Sequence, residues 1–169
     1  MEQTTSKDYG APITYEYERN LYVNMTNKCC NRCEFCLRNN SSGSLYADNL
    51  WYKNGEPTKE EIWEELSRRD LNRYDEVVFC GYGEPACRWD DMMWLCDKIK
   101  EHGSHLIRIN TNGLANLITG RNAALELDGR VDAISISLNA STAEKYDALC
   151  HSQFGLEAFP AIQKFTATA

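Results

Sequence analysis

Four short β-rich runs, each followed by a helix-forming stretch, constrain the fold of this chain more than any other feature. The runs are Leu21-Tyr22-Val23-Asn24-Met25, Glu76-Val77-Val78-Phe79-Cys80, Leu106 to Asn110, and Ala133-Ile134-Ser135-Ile136-Ser137-Leu138. Strands that alternate with helices at this spacing form βα units around a mostly parallel sheet, so the fold class is α/β. The first helix is expected from Thr58, which forms a capping-box pattern with Glu61 behind Pro57, and Ile62, Trp63 and Leu66 supply its buried stripe. Further helices are expected over residues 89–101, 116–127, 142–149 and 155–165. Residues 39–55 read as a long connection, a kind of segment that in compact domains is usually functional. At 169 residues the chain is sized for one domain, set at residues 15–169, behind a polar leader that passes through Gly10-Ala11-Pro12 and is expected to be flexible over residues 1–14.

Side chains in a strand alternate between faces, so each run can be asked which face is apolar. In the last run Ile134, Ile136 and Leu138 share one face, and Ser135, Ser137 and Asn139 the other. In the third run Ile107 and Ile109 oppose Arg108 and Asn110, with Leu106 the apolar member on the polar side. With helices over the apolar face, the polar face either lines a cavity for a polar ligand or lies in water as an ordinary half-exposed sheet.

Composition excludes several classes. A net charge of -7 argues against a general nucleic-acid surface, which needs clustered Lys and Arg. No apolar run reaches the roughly 18 residues of a membrane span. Met1-Glu2-Gln3-Thr4-Thr5 lacks the basic and apolar regions of a secretory signal, so a cytoplasmic location is expected. Eight cysteines in a reducing compartment point to metal binding or catalysis rather than to disulfides.

Four of those cysteines, Cys29, Cys30, Cys33 and Cys36, fall in the segment Cys29-Cys30-Asn31-Arg32-Cys33-Glu34-Phe35-Cys36, directly after the first strand. Cys29, Cys33 and Cys36 have the spacing C-x-x-x-C-x-x-C, with an aromatic residue before the last. Three thiolates on one short loop can hold three corners of a 4Fe-4S cluster and leave the fourth iron open to a substrate. The amino and carboxylate groups of S-adenosylmethionine (SAM) suit that open iron, where an electron from the cluster can break the bond between the sulfonium and C5' of the adenosyl group. Other metal readings fit less well. Structural zinc wants four closed ligands, and no second Cys or His pair stands at a suitable spacing. The register Cys30, Cys33, Cys36 matches the start of a ferredoxin run, but Asn40 stands where the fourth cysteine belongs. Plain buried or surface thiols are the remaining alternative. Cys29 is preferred to Cys30 by spacing alone.

Other motifs end the later strands. Gly81-Tyr82-Gly83-Glu84-Pro85 follows the second run, where glycines permit close backbone approach to a ligand and backbone carbonyls can receive the SAM ammonium; a plain strand-to-helix turn is the alternative. Thr111-Asn112-Gly113 and Ser137-Leu138-Asn139 fall on the same rim, with hydroxyl and amide groups suited to the ribose and carboxylate of SAM or, alternatively, to routine turns. Arg108 reads either as a partner for an anion or as a structural or solvated arginine. Cys80, Cys87, Cys96 and Cys150 read as small hydrophobes, and His102, His105 and His151 as turn or surface residues.

Together these segments resemble the radical SAM superfamily, and more narrowly the TatD family-associated radical SAM proteins, from about Tyr15 to Phe165. The resemblance is carried by Leu21-Tyr22-Val23-Asn24-Met25-Thr26-Asn27 leading into the cysteines, Val78-Phe79-Cys80-Gly81-Tyr82-Gly83-Glu84-Pro85, Arg108-Ile109-Asn110-Thr111-Asn112-Gly113, and Ser135-Ile136-Ser137-Leu138-Asn139-Ala140. It implies a partial (β/α) barrel of six units with the cluster at its C-terminal rim. It implies Phe35 near the SAM adenine, Gly83 and Glu84 near the methionyl amine, and Ser137 as a further SAM contact. The narrower group's name implies a TatD-type metal-dependent nuclease as partner, and the chemistry calls for an external one-electron reductant of the flavodoxin or ferredoxin type. Four βα units stand where that fold has six, so either the chain is a fragment or an oligomer or another protein closes the barrel; a fragment is expected, because an exposed parallel edge strand is a liability. The expected function is a SAM-dependent radical enzyme of unknown substrate. The alternatives are a non-catalytic iron-sulfur or zinc protein acting as electron carrier or structural partner, and an activase of a glycyl-radical enzyme.

Overall fold

The computed structural model describes residues 7–39 and 49–169. Its five strands, β1 (Thr14–Tyr17), β2 (Asn20–Val23), β3 (Glu76–Phe79), β4 (Ile107–Thr111) and β5 (Ala133–Ile136), form one sheet in chain order. Strands β2 to β5 are mutually parallel, and β1 pairs antiparallel with β2. Alternation sorts the side chains. Leu21, Val23, Val77, Phe79, Ile107 and Ile109 enter one core with Ile62 and Leu66 of α1 (Lys59–Ser67) and Met92, Leu95 and Ile99 of α2 (Trp89–His102). Each such buried side chain contributes roughly 1.5–3 kcal/mol. The capping box expected at the start of α1 is present: Glu61 N–H donates to Thr58 Oγ1 at 3.2 Å, and Thr58 N–H to Glu61 Oε2 at 2.7 Å.

The third helical stretch is divided, where one segment over residues 116–127 was expected. Helix α3 (Ala115–Thr119) ends at Gly120 in the left-handed conformation, and a 3-10 segment, Ala123–Leu127, follows. Helix α4 (Ala143–Cys150) starts at its Thr142 cap, and α5 (Ala158–Thr168) follows a 3-10 turn at Gly155–Glu157. The last strand stops at Ile136, so Ser137, Leu138 and Asn139 lie beyond it and are exposed.

Strand β1 is absent from the sequence-based expectation. Its two-residue turn to β2, Glu18-Arg19, carries no Gly or Asn, and Glu18 itself takes a φ of 53°. Pairing holds the turn shut: the rings of Tyr15 and Tyr22 stack at 5.1 Å, and Arg19 meets Asp75 at 2.8 Å. Within the stretch expected to be a flexible leader, Thr14 opens β1, and Tyr9 is buried with its ring edge-on to Tyr52. Of the long connection, residues 40–48 lie outside the described residues. Leu50 and Tyr52, just after them, are buried.

The sheet face away from α1 and α2 differs from both expectations for it. Beneath β1 to β3 it is covered by a cluster of Tyr15, Tyr22, Leu50, Val78 and Tyr82, and polar residues dominate only under β4 and β5, the two strands from which the expectation was drawn. There Arg108 reaches Glu76 of β3 at 3.0 Å, which makes it an internal ion pair rather than a free cation. Asn110 Oδ1 is buried without a hydrogen-bond partner among the described residues. That atom is an acceptor in want of a donor.

Candidate functional site

The C-terminal ends of the four parallel strands meet on one rim, and the segment after β2 is fastened there residue by residue. Glu56 accepts from Thr26 Oγ1 at 2.9 Å and from Asn27 N–H at 2.8 Å. The Asn27 side chain exchanges two hydrogen bonds with the Tyr52 backbone, donating at 2.8 Å and accepting at 3.0 Å. Arg88 donates to the carbonyls of Met25 and Pro57 at 2.8 and 2.7 Å while paired with Asp91. These contacts leave the chain between β2 and Cys29 little freedom to move.

Gly81 and Gly83 are demanded by this packing. A Cβ on Gly83 would lie 2.1 Å from the Thr26 carbonyl oxygen and 2.7 Å from that of Lys28, and one on Gly81 would lie 2.4 Å from Asn24 Oδ1. The loop after β3 therefore presses against the segment leading into the cysteines, and Glu84 N–H donates to the Lys28 carbonyl at 2.7 Å. Glu84 itself is buried. Its carboxylate accepts from Thr111 Oγ1 at 2.6 Å, Asn112 N–H at 2.7 Å and Ala86 N–H at 3.0 Å. Burial pushes this carboxyl above the usual range, against the pull of those three donors. Glu84 and Thr111, both expected to face SAM, are thus bonded to each other and knit β3 to β4.

The cysteine loop rests on the C-terminal end of α4. Arg32 N–H donates to the Cys150 carbonyl at 2.9 Å, Glu34 N–H to that of Leu149 at 3.1 Å, and Gln153 N–H to that of Cys30 at 2.9 Å. Asn31 Nδ2 donates to the Tyr146 hydroxyl at 2.9 Å. The bonds from Arg32 and Glu34 use carbonyls that a helix end leaves without intrahelical partners.

The four loop cysteines have different surroundings. Cys30 is buried, packs with Leu114, Tyr146 and Ile162, and accepts from Asn112 Nδ2 at 3.2 Å. Cys29, Cys33 and Cys36 are each partly exposed. A hydrogen bond from Cys30, and then the Asn31 N–H at 3.5 Å, hold the Cys29 thiol down from an ordinary 9.0 to about 7. Its partner Cys30 is shifted the opposite way and stays protonated. Burial, and then Cys150, push the Cys33 thiol up to about 12. Arg38 Nε donates to Cys36 Sγ at 3.3 Å, while its other nitrogens bind the carbonyls of Asn27 and Asn31.

Since the thiolate is the nucleophile, alkylation of Cys29 by iodoacetamide in the metal-free chain is expected to be half-maximal near pH 7 and to rise above it. Mass spectrometry of the labelled peptides over a pH series measures this. A midpoint at the ordinary 9.0 would show that the loop does not activate this cysteine.

The structure thus brings Cys29, Cys33, Cys36, Gly81, Gly83, Glu84 and Thr111 into one connected rim. Phe35, on the same loop, is 54% exposed. Ser137 is exposed, though its N–H donates to the Thr111 carbonyl at 3.0 Å. Asn139 contacts Cys150 rather than a loop cysteine, at 3.9 Å. Sequence reasoning missed residues that hold the loop, Asn31, Arg38, Glu56, Arg88 and Tyr146, and read Asn112 as a ligand group where it bonds to Cys30. Only Arg38, a cation two positions after a candidate thiolate, carried a local signal.

Among the described residues, no group of three or more His, Cys, Asp or Glu is arranged to hold a single metal ion. A cubane makes a different demand, because each of its cysteines binds a different iron. The donor set suits that demand: three partly exposed cysteines on one loop, two of whose sulfurs already receive N–H donors. No helix among the described residues is long and apolar enough to cross a membrane. A family model described as the radical SAM superfamily matches residues 23–165. No curated protein and no solved structure matches the chain.

Proposed function

This chain belongs to the radical SAM superfamily, and from that premise we propose that Cys29, Cys33 and Cys36 hold a 4Fe-4S cluster with which the protein cleaves SAM reductively. The observation that carries the proposal is the division among the loop cysteines. Cys30 is drawn into the apolar core and held by Asn112, while the other three stay partly open on a loop braced from both sides. When bound, the cluster supplies the electron that breaks the sulfonium bond and yields a 5'-deoxyadenosyl radical able to abstract hydrogen from carbon.

The chain's own residues bind and orient. Arg38 donates to Cys36 and so stabilises negative charge on that sulfur, as N–H donors to cluster sulfurs do. The carbonyls of the Gly81 to Gly83 loop are the proposed acceptors for the SAM ammonium. Glu84 acts as a positioning residue, fixing that loop against Thr111 and Asn112. Phe35, Ser137 and Asn139 are the exposed groups proposed to meet the adenosyl part, and Asn110 Oδ1 offers an unpaired acceptor on the sheet face below. A partial barrel as the frame and an external one-electron reductant complete the proposal. The TatD association rests on the resemblance alone.

The test is anaerobic reconstitution with iron and sulfide, followed by dithionite and SAM. The expected product is 5'-deoxyadenosine, identified by mass spectrometry. A chain that loads a cluster and forms no 5'-deoxyadenosine refutes SAM cleavage; a chain that instead retains tetrahedral zinc refutes the cluster as well.

A further inference from the structure

We infer that Cys33 and Cys150 form a thiol-disulfide site, in which Cys150 closes onto Cys33 whenever Cys33 is not engaged at the rim. The disulfide itself follows from backbone placement. Its consequence for cluster loading rests on the function proposed above.

Two hydrogen bonds straddle Cys33: Arg32 N–H to the Cys150 carbonyl at 2.9 Å and Glu34 N–H to the Leu149 carbonyl at 3.1 Å. These bonds bring the loop backbone around Cys33 into direct contact with the last turn of α4. A disulfide needs a Cα separation of roughly 4.4–6.8 Å, which two segments in direct backbone contact can reach. The side chains agree, because Cys33 packs against the cluster that contains fully buried Cys150. The frame is held on both flanks, by Gln153 N–H on the Cys30 carbonyl and by Asn31 on Tyr146.

The other rim cysteines are placed less well for such a bond. Cys29 and Cys30 are adjacent in sequence, where the intervening planar peptide disfavours a bridge. The Cys30 sulfur lies under the Asn112 amide and the Cys36 sulfur under the Arg38 guanidinium. Cys96 is fully buried among the side chains of the main core.

The reaction needs a disulfide oxidant such as oxidised glutathione. One protein thiolate attacks it and releases one glutathione thiol as a mixed disulfide forms. The second protein thiolate displaces the other glutathione. One S–S bond is broken and one is made. The two cysteine protons end on two glutathione thiols, and the two electrons pass from the protein to the oxidant. The product ties up a proposed cluster ligand, so cluster loading and the disulfide exclude each other.

The full-length, metal-free chain is equilibrated anaerobically with oxidised glutathione, blocked with iodoacetamide, and digested with trypsin without reduction. Cleavage after Arg32, Arg38, Lys145 and Lys164 places Cys33 in peptide 33–38 and Cys150 in peptide 146–164. The expected result is a cross-linked pair of these two peptides, with fragmentation assigning the bond to Cys33, and loss of that pair in Cys150→Ser and Cys150→Ala. Recovery of Cys150 as the alkylated thiol, or of Cys33 joined to Cys29 or Cys36, overturns the proposal.

A second readout tests the consequence. After oxidation, the wild-type chain takes up iron only once dithiothreitol is added, whereas Cys150→Ser takes it up without. Equal uptake by both without dithiothreitol overturns the mutual exclusion. If neither chain takes up iron even with dithiothreitol, the cluster reading fails, while the peptide map still decides the disulfide.

Discussion

Replacing Cys29, Cys33 or Cys36 singly with Ala is expected to leave a chain that retains no cluster, whereas Cys30→Ser retains about four iron atoms per chain. The contrast between neighbours makes this informative. Cys29 is partly exposed, with the Asn31 N–H aimed at its sulfur. One residue on, Cys30 is 6% exposed, packed among Leu114, Tyr146 and Ile162, and bonded to Asn112. A serine hydroxyl can still accept from Asn112, so Cys30→Ser keeps the fold while removing the sulfur. Iron and sulfide analysis, with the electron paramagnetic resonance signal after dithionite, checks each variant. Retention of the cluster by Cys29→Ala together with its loss in Cys30→Ser would mean that the ligand register begins one residue later than spacing and burial both indicate.

Gly83→Ala is expected to produce the largest loss of stability among the glycine substitutions near the rim. The new methyl group would meet two backbone carbonyls, at 2.1 and 2.7 Å, and neither can rotate away as a side chain would. Accommodation requires the loop after β3 to part from the segment leading into Cys29, which also breaks the 2.7 Å hydrogen bond from Glu84 N–H to Lys28. Overpacking of this kind costs about 3 kcal/mol, a drop in Tm of roughly 6–12 °C for a domain of this size. Gly103→Ala is the comparison. At Gly103 the backbone is extended, and the nearest atom, at 2.8 Å, belongs to the mobile end of the His105 side chain. That change is expected to stay within about 1 kcal/mol. Thermal and urea unfolding measure both, and equal melting temperatures would show that the close approach at Gly83 relaxes without cost.

The parts of the fold legible in the sequence are those written in short-range periodicity. Leu21 and Val23, Val77 and Phe79, and Ile107 and Ile109 announce their strands by alternation, and Thr58 with Glu61 announces the start of α1. Strand β1 was hidden because its turn uses Glu18 in a left-handed conformation, a choice no local rule favours, stabilised by tyrosine stacking and the Arg19 to Asp75 pair. At the site, Gly81 and Gly83 were recognised as points of close approach. What approaches within the chain is the segment carrying Thr26 and Lys28, a possibility that composition cannot separate from a ligand. Glu84 and Thr111 were likewise found as polar groups at strand ends, yet each is the other's hydrogen-bond partner.

By itself the sequence determined that three cysteines at C-x-x-x-C-x-x-C spacing follow a strand, and that the later strands end in polar, glycine-containing segments on the same rim. Only the tertiary structure decided which of two adjacent cysteines turns inward, what braces the loop, and which thiol lies beside Cys33. The reason is range. Strand alternation and helix capping depend on residues a few positions apart, whereas Asn112 reaches Cys30 across 82 positions and Asn31 reaches Tyr146 across 115, contacts that exist only once the sheet has assembled and α4 has docked against the rim.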